Sequence, residues 1–179
     1  MPPRSTLVTG GVRSGKSQKA ESLLAEEISV TYLAPGPVPD PLTDPEWAER
    51  VAEHQARRPA NWTTVETTDL AAALTACQGA VLLDCLGTWV SAVVDELDGW
   101  AHPPGQWRPR FDARLDALVT AWSDAQGPLV AVTNEVGMGV VPEHRSGRVF
   151  RDLLGTVNQR VAAVSEQVLL VVAGRVLRL

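Results

Sequence analysis

The chain has 179 residues, 45% of them hydrophobic and 21% charged, with a formal net charge of −5 at pH 7. That length suits a single domain and buries enough surface to need no staple. The acidic balance argues against nucleic-acid or anionic-membrane binding, which takes a basic surplus or stripe, and two cysteines, Cys77 and Cys85, exclude a disulfide framework or a cysteine zinc site. Such sparse cysteine use predicts a reducing, cytoplasmic setting. No stretch reaches the roughly 20 apolar residues of a membrane span. The opening Met1-Pro2-Pro3-Arg4-Ser5 has no apolar signal core, and the carboxyl end has no lipidation box.

Along the chain, Thr6-Leu7-Val8-Thr9 predicts a buried strand that is cut off by Gly10-Gly11. Helical spacing of Ala20, Leu23 and Leu24 predicts a helix from Ser17 to about residue 27. Val30-Thr31-Tyr32-Leu33 is the next strand. Pro35, Pro37, Pro39, Pro41 and Pro45 then exclude helix and central strand and predict an exposed loop. Pro45 opens a helix capped by Asp44 and carrying Trp47, Arg50, Val51 and His54, which Pro59 ends. A strand is expected over 62–67, and a short helix over 70–76 capped by Asp69. Ala80-Val81-Leu82-Leu83-Asp84 is an apolar run ending in a carboxylate. Helix follows over 88–97, then a Gly/Pro/Trp-rich connection over 98–109, and a long helix over about 110–125. Residues 129–133 form a buried strand, 137–147 a glycine-punctuated loop, and 148–165 a helix with Phe150, Leu153, Leu154, Val157 and Val161 on one face. The last two strands, 168–172 and 176–179, meet at Ala173-Gly174-Arg175 as a hairpin. Alternating strands and helices predict an α/β sheet with helices on both faces.

Gly10-Gly11-Val12-Arg13-Ser14-Gly15-Lys16-Ser17 fits G-x-x-x-x-G-K-[ST]. The glycines let successive amide N–H groups turn toward phosphate oxygens, and the following helix adds its positive end. Lys16 places a charge on the outer phosphates, and the Ser17 hydroxyl joins a Mg²⁺ shell. The match follows a predicted strand and opens a predicted helix, which is the context that phosphate binding requires. Asp84, at the carboxyl end of a buried strand, stands where a phosphate-loop protein holds its magnesium; a helix cap is its structural alternative.

The stretch from Arg50 to Glu66 gathers three guanidinium groups, Arg50, Arg57 and Arg58, around His54 in an otherwise acidic chain. Guanidinium forks suit phosphate oxygens. An imidazole with a reference pKa of about 6.5 is largely neutral near pH 7 and has a nitrogen to offer as nucleophile. A solvated helix face is the plain alternative.

Four stretches together resemble the bifunctional adenosylcobinamide kinase/adenosylcobinamide-phosphate guanylyltransferase family. They are the segment Leu7 to Ser17, the R-[IV]-x-x-H…R-P-x-x-W-x-T-x-E spacing from Arg50 to Glu66, Leu82-Leu83-Asp84-Cys85-Leu86-Gly87-Thr88, and Val132 to Glu143 continuing through Arg148-Val149-Phe150-Arg151-Asp152 to Val157-Asn158-Gln159-Arg160. They run in order over nearly the whole chain. The resemblance implies a three-layer phosphate-loop NTPase sheet of the RecA-like kind, one domain over 1–179, mostly parallel and closed by the antiparallel hairpin. It implies two activities: phosphorylation of adenosylcobinamide with ATP or GTP, and transfer of GMP from GTP to adenosylcobinamide phosphate through a GMP–histidine intermediate. His54 corresponds to that histidine, with Lys16 beside it in catalysis. Nucleotide contacts fall by resemblance on Thr9, Gly10, Gly11, Val12, Arg13, Ser14, Gly15, Lys16 and Ser17, on Ala34, Pro35 and Gly36, on Gln55, Ala56, Arg57 and Arg58, and on Glu66 and Asp84. Ser17 and Asp84 would take Mg²⁺. A homo-oligomer, a trimer, is implied as well.

Glu53 stands where relatives often have a second histidine, so His54 alone carries the nucleophile role. Ala34-Pro35 replaces Ala-Thr, losing a hydroxyl and an N–H. Asn134 and Glu135 sit at the rim where α/β sites form, with a structural loop as the equal alternative. Cys77 and Cys85 are expected to pack inertly, most of the six tryptophans to fill core or subunit contacts, and Trp89 to be a weak candidate for flanking a corrin. Two further functions remain open on the residues alone: an ordinary phosphate-loop kinase, which would not need His54, and a non-catalytic nucleotide switch.

Overall fold

A computed structural model describes residues 3–179; Met1, Pro2 and the side chain of Arg50, one of the three predicted guanidinium groups, lie outside the described residues. Seven strands form one sheet: β1 (Ser5–Gly10), β2 (Val30–Ala34), β3 (Trp62–Glu66), β4 (Ala80–Asp84), β5 (Leu129–Asn134), β6 (Gln167–Val172) and β7 (Arg175–Arg178). Their order is β3-β2-β4-β5-β1-β6-β7. All neighbours are parallel except β6 and β7, which pair antiparallel across a two-residue turn at Ala173 and Gly174. The expected mostly parallel sheet with a terminal hairpin is therefore present.

Six helices connect the strands: α1 (Lys16–Leu23), α2 (Pro45–Ala56), α3 (Leu70–Ala76), α4 (Leu86–Glu96), α5 (Pro104–Asp124) and α6 (Arg145–Ala163). Side chains of the central strands alternate between two cores. Leu7, Val81, Leu83 and Ala131 pack with α3, α4, α5 and α6, whereas Val8, Leu82, Val130 and Val132 pack with Ala20 of α1 and with Leu24 just beyond it. The sheet is thus covered on both faces.

Both predicted acidic caps form: Asp44 Oδ1 accepts from the Trp47 amide at 2.9 Å and Asp69 Oδ1 from the Ala72 amide at 3.1 Å. Several predicted bounds shift. α1 stops at Leu23 instead of running on to residue 27, and α4 and α6 each begin earlier than expected. The largest correction is α5, which starts at Pro104, inside the connection expected over 98–109, and contains Pro109. Pro109 is exposed, and Trp107 and Phe111 on either side of it are buried. An interior proline costs about 3 kcal/mol, and each anchored aromatic contributes about as much by burial, so packing overrides the local preference.

Candidate active site

β1 delivers the phosphate loop to the carboxyl rim of the sheet. Gly10 is compelled there: a Cβ would stand 2.5 Å from the Val171 carbonyl oxygen and 2.6 Å from Ser14 Oγ. Arg13 and Gly15 both take positive φ, 54° and 94°, curling the loop so that its amides turn inward. The hairpin turn holds the loop from outside, since the Gly174 amide donates to the Ser14 carbonyl at 2.9 Å. Lys16 is buried and its Nζ donates to the Gly11 carbonyl at 3.1 Å. Thr9 Oγ1 and Ser14 Oγ are buried without a hydrogen-bond partner among the described residues.

β4 ends at Asp84. Its Oδ2 accepts from the Tyr32 hydroxyl of β2 at 3.1 Å, a bond that links neighbouring strands at the rim. Burial first, and the Asp84 charge second, push the Tyr32 hydroxyl far above its ordinary range, so Tyr32 stays a donor. The cap alternative for Asp84 is corrected: the residue before α4 is Cys85, whose amide donates to Thr88 Oγ1 at 3.3 Å.

α2 lies over this rim. Its first turn is tied to the proline loop, where Trp47 Nε1 donates to the Pro37 carbonyl at 3.0 Å. The same indole ring presses on Gly36, where a Cβ would meet it at 2.9 Å. The last turn carries His54. Its Nδ1 is 3.2 Å from Arg57 Nη2 and 3.7 Å from Asp84 Oδ2. Arg57 also reaches Glu21 on α1 at 3.4 Å. Arg58 lies flat over the Tyr32 ring, its Cζ 3.4 Å from the centroid, and donates to Thr64 Oγ1 at 2.8 Å. Its buried Nε has no hydrogen-bond partner among the described residues.

Two cavities meet at His54. The inner one, about 90 Å³, is lined by Lys16, Ser17, Asp84, Arg58 and Glu66, with Tyr32, Trp47 and Asn134 among the other wall residues. The outer one, about 410 Å³, follows Val12 to Gln18 and meets Arg57 and an acidic row on α2, Glu46, Glu49 and Glu53. A larger space, about 1090 Å³, lies at the opposite rim, where β4 and β5 begin, and holds none of the predicted site residues.

The predicted set is therefore largely brought together. Ala34 and Gly36 line the inner cavity, but Pro35 is buried beside them; Gln55 and Ala56 are exposed and line neither cavity. His102 and His144 line neither cavity. Trp89 is corrected: it is buried in the core, its Nε1 donating to the Thr68 carbonyl, and does not face the site. Cys85 packs against the second core cluster as expected, and it also lines the inner cavity. Burial, then the Asp84 charge, push its thiol above the ordinary range. Tyr32, Trp47, Val51 and Thr88 also line the site, and sequence reasoning does not mark them for it. Trp47 and Val51 share the helix of His54, and Thr88 lies in the first turn of α4, just after the strand that ends at Asp84, whereas Tyr32, in the middle of β2, has no sequence signal for the site. Ser17 and Asp84 offer a hydroxyl and a carboxylate on one wall, and Asp84 Oδ1 takes no hydrogen bond among the described residues. Such hard oxygen donors fit Mg²⁺.

The family model described as "Cobinamide kinase / cobinamide phosphate guanyltransferase" matches residues 6–179. The chain is 41% identical to the "Bifunctional adenosylcobalamin biosynthesis protein CobU" of Salmonella typhimurium, covering 94% of this chain and 95% of that protein. It is 37% identical to the corresponding protein CobP of Pseudomonas aeruginosa, covering 94% and 92%. Among solved structures, a type III secretion ATPase superposes with a TM-score of 0.57 at 15% identity, covering 93% of this chain and 50% of that one. The assembled ATPase EscN of enteropathogenic E. coli gives 0.54 at 13%, covering 96% and 43%. This chain spans about half of those ATPases, and the likeness is one of fold.

Proposed function

The chain belongs to the cobinamide kinase / cobinamide phosphate guanyltransferase family, and from that premise we propose how its own residues perform the two reactions. The enzyme phosphorylates adenosylcobinamide and then converts the phosphate to adenosylcobinamide-GDP, within cobalamin biosynthesis. In the first reaction the aminopropanol hydroxyl oxygen attacks the γ-phosphorus of ATP or GTP. The bond to the β-bridging oxygen breaks, the nucleoside diphosphate leaves and the hydroxyl proton is released. The chain's part is positioning and neutralisation, through the phosphate-loop amides and Lys16.

In the second reaction a ring nitrogen of His54 attacks the α-phosphorus of GTP. A P–N bond forms, and the bond to the bridging oxygen breaks as pyrophosphate leaves. A phosphate oxygen of adenosylcobinamide phosphate then attacks the same phosphorus, and the P–N electrons return to the imidazole. Covalent transfer divides one hard displacement into two easier ones. Arg57, 3.2 Å from His54 Nδ1, and Arg58, which lines the inner cavity with His54, can turn to phosphate oxygens. Ser17 and Asp84 would hold Mg²⁺, which when bound neutralises the triphosphate and its leaving group.

The observation that carries this reading is that His54 borders both cavities, facing the phosphate loop on one side and Asp84 on the other. The inner cavity is smaller than the roughly 300–1,000 Å³ of ligand sites, so seating a nucleotide there calls for α2 to shift. An ordinary kinase would not need an imidazole at that place. The test is incubation with Mg²⁺ and GTP labelled at the α-phosphate, then denaturation. An acid-labile, base-stable label on the protein is expected, and none on His54→Ala. Wild-type protein that binds GTP yet takes up no label would overturn the covalent step. By family resemblance we propose a trimer in the cytoplasm.

A further inference from the structure

β5 runs between β1 and β4 and carries Asn134 to the same rim as the phosphate loop and Asp84. Its register partner on β1 is Gly10, the first residue of that loop. The Asn134 side chain lines the inner cavity beside Lys16, Ser17, His54 and Asp84. The two reactions as derived above give it no role, although its placement is elaborate. Asn158 Nδ2, from α6, donates to the Asn134 carbonyl at 3.0 Å, and Asn158 Oδ1 accepts from the buried Thr133 hydroxyl at 2.6 Å. The Cys85 thiol donates to Asn134 Oδ1 at 3.6 Å. Gly87 leaves room for that oxygen, which a Cβ there would approach to 2.9 Å.

The thiol contact decides the orientation of the amide. Cys85 Sγ is the donor and Asn134 Oδ1 the acceptor in that contact, so the oxygen of Asn134 faces the thiol and Nδ2 is the end left over. Nδ2 makes no protein hydrogen bond among the described residues. An oriented donor in a half-buried wall lacks compensation until a ligand acceptor arrives. With the phosphate-loop amides on the inner phosphates and Lys16 on the outer ones, the end of the triphosphate would lie toward the space between Lys16 and Asp84. Asn134 stands on the strand between them.

We propose that Asn134 Nδ2 donates to the terminal phosphate of the bound nucleoside triphosphate, so that the site distinguishes a triphosphate from a diphosphate. This rests on the cavity being the nucleotide site. A neutral amide suits that role, because it rewards the extra phosphate without adding a cation that would retain the diphosphate product. Cys85 and Asn158 are positioning residues that aim it.

The test is calorimetric affinity for GTP and for GDP, with wild type, Asn134→Ala, Asn134→Asp and Cys85→Ala. A hydrogen bond to a charged acceptor is expected to be worth about 10-fold or more in affinity. Asn134→Ala should weaken GTP by about that factor and leave GDP within about twofold. Asn134→Asp, of the same size, should weaken GTP further because it sets a carboxylate against the phosphate. Cys85→Ala should give a smaller loss of the same kind. Equal losses for GTP and GDP, including loss of both through misfolding in both Asn134 variants, would mark a structural role and overturn the proposal. So would an unchanged GTP-to-GDP ratio. Wild type that binds no GTP would bring down the site reading itself, whereas wild-type binding with an unchanged ratio in Asn134→Ala would bring down this inference alone.

Discussion

Nδ1 of His54 stands 3.7 Å from Oδ2 of Asp84, joining the end of α2 to the end of β4. The side chains are 22% and 9% exposed, so the pair is shielded enough for the geometry to matter. The kinase half does not need the imidazole. His54→Ala is therefore expected to abolish GMP transfer and the covalent label while retaining the order of magnitude of wild-type kinase turnover. Separate assays of phosphorylation and of GMP transfer check this. Equal loss of both would mean that His54 chiefly supports the rim.

Lys16 serves both reactions through one loop. Removing a preorganised charge from a developing anion typically costs about 10²- to 10³-fold in rate. Lys16→Ala should depress kinase and transferase turnover together by about that range. Far-UV circular dichroism should be unchanged, since the hydrogen bond lost to the Gly11 carbonyl lies within the loop itself. Intact kinase turnover in this variant would contradict a shared phosphate loop.

The Arg58 guanidinium lies 3.4 Å over the Tyr32 ring while the Tyr32 hydroxyl holds Asp84. A planar guanidinium stacks where an ammonium does not, and a cation–π contact of this kind contributes about 0.5–2 kcal/mol. Arg58→Lys should therefore fail to restore what Arg58→Ala loses, in both urea stability and KM for GTP. Tyr32→Phe keeps the ring and removes the hydroxyl. It should cost about 1 kcal/mol of stability and alter the Mg²⁺ concentration needed for half-maximal rate. Rescue by lysine would show that charge alone matters at position 58.

The phosphate loop and Asp84 are legible as local patterns, a glycine spacing after a strand and a carboxylate closing an apolar run, whereas His54 among its arginines reads equally as a solvated helix face and is marked by the family resemblance. What was not legible is what crosses between strands. Nothing in the sequence pairs Tyr32 with Asp84 or Cys85 with Asn134, since those contacts come from strand order and from where each strand stops. The fold followed the same division. Caps at Asp44 and Asp69 are local and appear as expected, whereas α5 runs through Pro109 because two buried aromatic anchors outweigh a local rule.

The Cys85 thiol is held above its usual range by burial and then by the Asp84 charge. A raised pKa means less thiolate at any given pH. Alkylation of native protein near pH 8 should thus be slower at Cys85 than in the unfolded chain, and should accelerate as pH rises further. Asp84→Asn removes the charge and leaves the burial, so it should quicken the reaction without reaching the unfolded rate. Peptide mass spectrometry after timed iodoacetamide treatment separates Cys85 from Cys77. Identical rates in wild type and Asp84→Asn would leave burial as the whole cause.

Phe111 is the anchor that turns an unfavourable helix start into a stable one. It is fully buried, 5.7 Å from the Trp89 ring centroid and 6.4 Å from that of Trp107, which it meets edge-on. Truncating such a ring costs about 3–5 kcal/mol through lost transfer energy and the cavity left behind. Phe111→Ala should lower stability by that amount in urea unfolding. The cluster lies on the side of the sheet that packs α3, α4, α5 and α6, while the phosphate loop and α1 belong to the other. Turnover per folded molecule should therefore stay within about twofold at low temperature. Pro109→Ala is the companion test. It restores an amide to an exposed turn of α5, so it should stabilise the wild-type chain, and the gain should shrink in the Phe111→Ala background, where the turn has lost its anchor. Additive effects would mean that α5 passes through Pro109 for reasons other than the burial of Phe111.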